Sequence, residues 1–143
     1  MKKFALMALI CTMSMVVCGA NKQPVALTAL PQAVQDSIAA HYTPDKILIV
    51  TGEKTKPRHY EYEFRVDGGT KLKYSDKAVL LKIENVQGID LSYVPTGIQN
   101  YVKETFPNTF IVEYSRETMK QEVVLNIDVT LIFDKNGRFI RLD

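Results

Sequence analysis

Two stretches of this chain are written to one plan. Leu30–Val50 reads LPQAVQDSIAAHYTPDKILIV, and sixty-four residues further on Val94–Val112 reads VPTGIQNYVKETFPNTFIV. Leu30 meets Val94, Pro31 meets Pro95, Val34 meets Ile98, Gln35 meets Gln99, Ile38 meets Val102 and Tyr42 meets Phe106. Apolar residues four apart drift about 40° per step on a 3.6-residue helix, so four of them make a stripe about 120° wide. Each segment is therefore predicted as a helix with one buried side. It is entered at a proline, whose missing N–H has no helical partner there, and stopped by Pro44 or Pro107. Two such helices in one short chain constrain the fold to two half-units of one design.

The sequence after each helix turns to strand patterns. KILIV (Lys46–Val50) and FIVEY (Phe110–Tyr114) are short and β-branched. YEYEFRV (Tyr60–Val66) alternates strictly, with Tyr60, Tyr62, Phe64 and Val66 on one face and Glu61, Glu63 and Arg65 on the other. Asp67-Gly68-Gly69 supplies a turn, TKLKY (Thr70–Tyr74) continues the alternation, and Ser75-Asp76-Lys77 leads into VLLKIE (Val79–Glu84). The second copy follows at an offset of fifty-nine: Leu72 matches Leu131, Tyr74 matches Phe133, and Leu80–Glu84 matches Phe139–Asp143 type for type. Thr51–His59 reads as a loop, longer than its counterpart before Gln121. Strands with one apolar and one charged face belong to an antiparallel sheet covered on one side. The expected fold is α+β: tandem α-β-β-β-β repeats, residues 30–84 and 94–143, forming an antiparallel sheet of about eight strands with two helices on one face. Residues 85–93 join the repeats and residues 21–29 form an N-terminal linker.

Residues 1–20, MKKFALMALICTMSMVVCGA, have the pattern of an export signal: Lys2 and Lys3, an uncharged apolar run from Phe4 to Val17, and small residues at Cys18 and Ala20 before Asn21. The run is shorter than the roughly 20 residues a membrane span needs. A second processing route would acylate Cys18 and tether a lipoprotein to the periplasmic or outer surface, the sole membrane attachment the sequence suggests. Removal of the signal takes two lysines and leaves 16 basic against 16 acidic residues. That balance argues against nucleic acid as a partner. Both cysteines, Cys11 and Cys18, fall within the signal, so the exported part holds no disulfide, thiol nucleophile or thiolate metal site.

The LPxAVQxxIxxxY helix, the alternating YE-E strand, the DG turn and the FDKNGRFIRLD ending together resemble the PepSY-like family related to beta-lactamase-inhibitor folds, exported proteins of Bacteroidetes. The resemblance spans Leu30 to Asp143. It implies a tandem-repeat protein whose sheet presents a partner-binding face; PepSY domains proper are associated with restraining peptidases. Its motifs are structural, and they bring no catalytic residue, metal ligand or cofactor.

By strand parity the outward face of the first copy carries Glu61, Glu63, Arg65, Lys71, Lys73, Lys82 and Glu84. That of the second carries Val124, Asn126, Thr130 and Ile132, with Glu122 and Arg141 at the margins. Mixed charges on a strand face are ordinarily solvated surface, whereas adjoining exposed β-branched residues suit a contact. The candidate partner face is therefore Glu61, Glu63, Arg65, Lys71, Lys73, Lys82, Val124, Thr130 and Ile132. His41 and His59 have no nucleophile or further ligand in register, and Asp134-Lys135-Asn136-Gly137 reads as a hairpin turn, lacking the later ligands of a calcium loop. The expectation is a non-enzymatic exported binding module for an unidentified protein, with a structural envelope scaffold as the alternative.

Overall fold

The computed structural model describes residues 21–143, so the export-signal reading and Cys18 lie outside the described residues. Nine strands form one antiparallel sheet in which spatial order equals chain order. They are β1 (Gln23–Pro24), β2 (Ile47–Lys56), β3 (His59–Val66), β4 (Lys71–Ser75), β5 (Leu80–Glu84), β6 (Ile111–Arg116), β7 (Lys120–Leu125), β8 (Thr130–Asp134) and β9 (Phe139–Leu142). Helix α1 (Gln32–Ala39) precedes β2, and α2 (Thr96–Thr105) precedes β6. Pro31 and Pro95 sit at the caps, and Val34, Ile38, Ile98 and Val102 are the buried positions of the two helices. The repeated residues are thus the core-facing stripe.

The sheet side of that core is one row of cross-strand neighbours. Val50, Phe64, Leu72, Ile83, Tyr114, Val123 and Leu131 pair in sequence from β2 to β8. Cross-strand partners share a face, and all seven belong to one buried cluster with the helix stripes. The halves join where β5 pairs with β6, through Lys82–Ser115, Ile83–Tyr114 and Glu84–Glu113. One core therefore serves both copies, which buries more apolar surface than either could alone.

The duplication extends to irregularities that the sequence did not announce. Leu48 is skipped between the Ile47–Val66 and Ile49–Arg65 pairs, and its equivalent Val112 between Ile111–Leu125 and Glu113–Val124. Leu81 is skipped in the β4–β5 pairing and its equivalent Ile140 in β8–β9. An unpaired residue at the same place in both copies is an inherited bulge, which bends and twists its strand.

Two expectations change. The stretch Thr51–His59 is not a loop: β2 runs to Lys56, and a two-residue turn at Pro57-Arg58, with Arg58 at φ 63°, leads straight into β3. The polar sequence reflects a hairpin end whose residues from Lys54 to His59 are exposed. The expected linker 21–29 supplies the ninth strand: Gln23 pairs with Gly52 and Pro24 with Thr51, and Val25 N–H donates to Val50 O at 3.1 Å. Gly52 permits this, because a Cβ there would lie 3.0 Å from Val25 Cγ2 and 3.2 Å from Tyr62.

Candidate functional site

The face of the sheet opposite the helices has two rows of side chains. One runs Arg65, Lys71, Glu84, Glu113, Val124 and Thr130, the other Glu63, Lys73, Lys82, Ser115, Glu122, Ile132 and Arg141, and beside them Glu61 lies between Glu53 and Ser75. All nine candidate residues from strand parity lie on this face. Asn126 does not continue it: it follows β7 in a turn, where its side chain accepts from Phe110 N–H at 2.9 Å.

The charges are paired across strands. Lys71 Nζ lies 2.7 Å from Glu84, Lys73 3.6 Å from Glu61, and Lys22 2.6 Å from Glu63, which Arg65 also approaches at 3.7 Å. Lys82 bridges the two repeats, 3.1 Å from Glu84 on its own strand and 2.9 Å from Glu113 on β6. Burial disfavours charge on Lys82, but hydrogen bonds to Glu113 and Glu84 outweigh it and raise its pKa. The hydrogen bond from Lys71, aided by Lys82, holds Glu84 below the usual carboxylate range against partial burial. Partial burial also raises Glu63, and the Lys22 hydrogen bond and charge overcome it to leave the pKa lowered. Such half-exposed pairs contribute little each, and the network leaves the face without an unpaired charge of either sign at its centre.

The expected apolar patch of the second copy is only partly present. Val124 is half-buried, but Ile132 is 2% exposed. Strand parity placed Ile132 on the correct face and misjudged its exposure. Its two cross-strand neighbours are Glu122 and Arg141, and long charged side chains at such positions cover apolar surface with their stems. Ile132 is therefore no contact residue.

Apolar surface is offered instead at the junction of the repeats. A groove of about 1000 Å³ lies where the β4–β5 turn adjoins the β6–β7 turn, lined among others by Lys73, Val79, Leu81, Lys82, Arg116 and Met119. Val79 is 43% and Met119 65% exposed. The sequence reading puts Val79 at the head of a strand, whereas it lies in the turn before β5; Met119, a single apolar residue in a turn, carries no periodic signal. Their adjacency arises only from the β5–β6 pairing of distant segments.

The histidines stand apart from this groove. His41 is exposed at the end of α1, its ring 4.5 Å from that of Tyr93. His59 is exposed, with Nδ1 3.9 Å from Asp76. Asp134 accepts from Asn136 and Arg138 N–H at 2.8 and 2.9 Å, so its carboxylate is committed to the hairpin turn. Among the described residues no three His, Cys, Asp or Glu side chains form a group able to hold a metal, and no helix is long and apolar enough to cross a membrane.

Comparison with known proteins agrees with this geometry. A family model described as "Putative beta-lactamase-inhibitor-like, PepSY-like" matches twice, over residues 16–82 and 83–141. Among solved structures, a "putative calcium-regulated periplasmic protein" of Bacteroides thetaiotaomicron superposes with TM-score 0.76 at 24% identity, covering 85% of this chain and 96% of its own. A periplasmic protein of the DUF2874 family from Bacteroides vulgatus gives 0.77 at 24% identity, covering 87% and 99%. A further B. vulgatus periplasmic protein of unknown function gives 0.77 at 22%, covering 86% and 99%. No curated protein matches the chain.

Proposed function

The chain belongs to the beta-lactamase-inhibitor-like, PepSY-like family, and from that premise we propose that it is a non-enzymatic, exported binding module that engages a protein partner in the cell envelope. The observation carrying this reading is a sheet face that no described helix covers, with a groove at the repeat junction. Both helices are spent on the other side of the sheet, and the groove sets exposed Met119 and Val79 among Glu61, Lys73, Lys82, Arg116 and Glu117. Apolar anchors inside a polar rim are the ordinary anatomy of a protein contact. The balanced charge network favours a partner of mixed charge over a polyanion. The periplasmic description of the three similar structures and the signal-like residues 1–20 support the periplasm as the place of action.

The test is capture from native envelope extract by wild type and by the double variant Val79→Asp/Met119→Asp. Both side chains are exposed, so the variant keeps its fold, checked by an unchanged unfolding midpoint. Loss of a captured protein in the folded variant is the expected result. Equal capture by both would remove the groove from the account.

A further inference from the structure

We propose that the outer edge of β9 is a second interaction surface, one that receives an extended segment of another protein as an added antiparallel strand. The chain itself supplies the template. Strand β5 of the first repeat corresponds to β9 of the second, with Lys82, Ile83 and Glu84 matching Arg141, Leu142 and Asp143. In the first repeat this edge is filled by β6. In the second, no described residue pairs with it.

The consequence is visible residue by residue. Ile83 is fully buried, covered from the side by Tyr114 of β6, while Leu142 in the same structural position is 55% exposed. Leu81 is half-buried and its equivalent Ile140 is 52% exposed. Yet β9 is firmly placed: Phe139 stacks on Tyr101 at 4.8 Å and meets Phe133 edge-on at 5.9 Å. Asp143 N–H donates to Thr130 O at 3.0 Å, so the alternation of an antiparallel ladder turns the N–H and C=O of Leu142 towards the open edge. Beyond the bulge at Ile140, the edge at Leu142, which no described residue pairs with, is a template for strand addition.

The β5–β6 junction also specifies the occupant. On β6 the contact is made by Glu113, Tyr114 and Ser115: an aromatic residue opposite Ile83 closes the core row, and a carboxylate reaches Lys82 at 2.9 Å. The segment that fits β9 therefore carries an acidic residue, a large apolar or aromatic residue and a small one in succession. The aromatic residue would sit against Leu142 and the carboxylate near Arg141. Among the described residues Arg141 has a single ion-pair partner, Asp143 at 3.8 Å. A second copy of this chain does not supply that strand. Its equivalent of β6 is β2, where Ile49 replaces Glu113, and β1 already occupies the β2 edge at Val50–Gly52 with Pro24 facing outward in the sheet. Proline at a sheet edge blocks further pairing.

The β9 edge is separate from the open-face groove, so either surface can fail in experiment without the other. The probe is a synthetic peptide of Thr109–Arg116, TFIVEYSR, titrated into isotope-labelled protein that the expression host has exported and processed. The expected result is saturable shifts of β8 and β9 amides at or below about 1 mM, weakened about tenfold or more by Leu142→Lys. Arg141→Glu should reverse the preference between this peptide and its Glu113→Lys counterpart. Both positions are exposed, so the variants fold. The proposal is overturned by absence of saturable shifts, by shifts centred on the open face, by equal binding to Leu142→Lys, or by concentration-dependent self-pairing of β9 without peptide.

Discussion

The glutamines that recur at Gln35 and Gln99 are expected to hold the two helix entrances, to unequal degrees. Gln99 Nε2 donates to Leu91 O at 2.8 Å and to Val94 O at 2.7 Å, tying the turn before α2 onto its first turns. Gln35 makes the equivalent bond to Leu30 O at 2.8 Å, but its second, to Thr28 O, is long at 3.4 Å. Leucine keeps most of the side-chain volume and removes the amide. A net 0.5–1.5 kcal/mol per intramolecular bond puts Gln99→Leu at about 1–3 kcal/mol and Gln35→Leu at about 1 kcal/mol. Gln32→Leu, which loses only an exposed bond to Asp36, should cost less than about 0.5 kcal/mol. Urea unfolding of the exported protein reads these values as midpoint shifts at constant slope. Equal costs for Gln99→Leu and Gln32→Leu would refute the entrance-tying role, and a larger cost at Gln35 than at Gln99 would refute the geometric ranking.

Other perturbations follow from single observations. Among the described residues the buried Tyr93 Oη has no hydrogen-bond partner, although the phenols of Tyr42 and Tyr74 lie alongside. Burial with those two phenols alongside pushes Tyr93 far above the usual range, so Tyr93→Phe should be neutral or stabilising by up to about 1 kcal/mol in thermal unfolding. Gly52→Ala forces a Cβ against Val25 and Tyr62; a loss of about 1–3 kcal/mol and faster exchange of the Val25 amide are expected. For Glu84 the folded pKa is lowered, so its contribution is present above the unfolded value near 4.3 and is lost as pH falls through the folded value. Glu84→Gln should therefore flatten the acid limb of the stability profile below about pH 4.5, by well under 1 kcal/mol for so exposed a pair.

Much of this fold was legible in sequence because burial writes a period. The stripes at Val34, Ile38, Ile98 and Val102 and the alternation through Phe64 and Leu72 required a helix layer on one sheet face, and the structure has both. What burial does not impose was not readable. Gln23-Pro24 has no apolar alternation, so β1 passed as linker, and exposed Lys54–Lys56 let the end of β2 pass as loop. The match of Gln35 with Gln99 was plain, but its cause lies in carbonyls whose positions only the fold reveals. The site was less legible than the fold. Parity gives a face, not an exposure, as Ile132 shows; Met119 and Val79 meet only because β5 and β6 do.

We propose that this protein meets its partner on the helix-free face, at the junction of the repeats. Oxidative footprinting of the exported protein, alone and in native envelope extract, tests it most directly. The account predicts that Met119, the most exposed large apolar residue of the groove, loses reactivity in extract together with Val79, while Tyr42 and Phe106 at the helix ends keep theirs. Unchanged reactivity of Met119, or protection confined to the helix side, would contradict it.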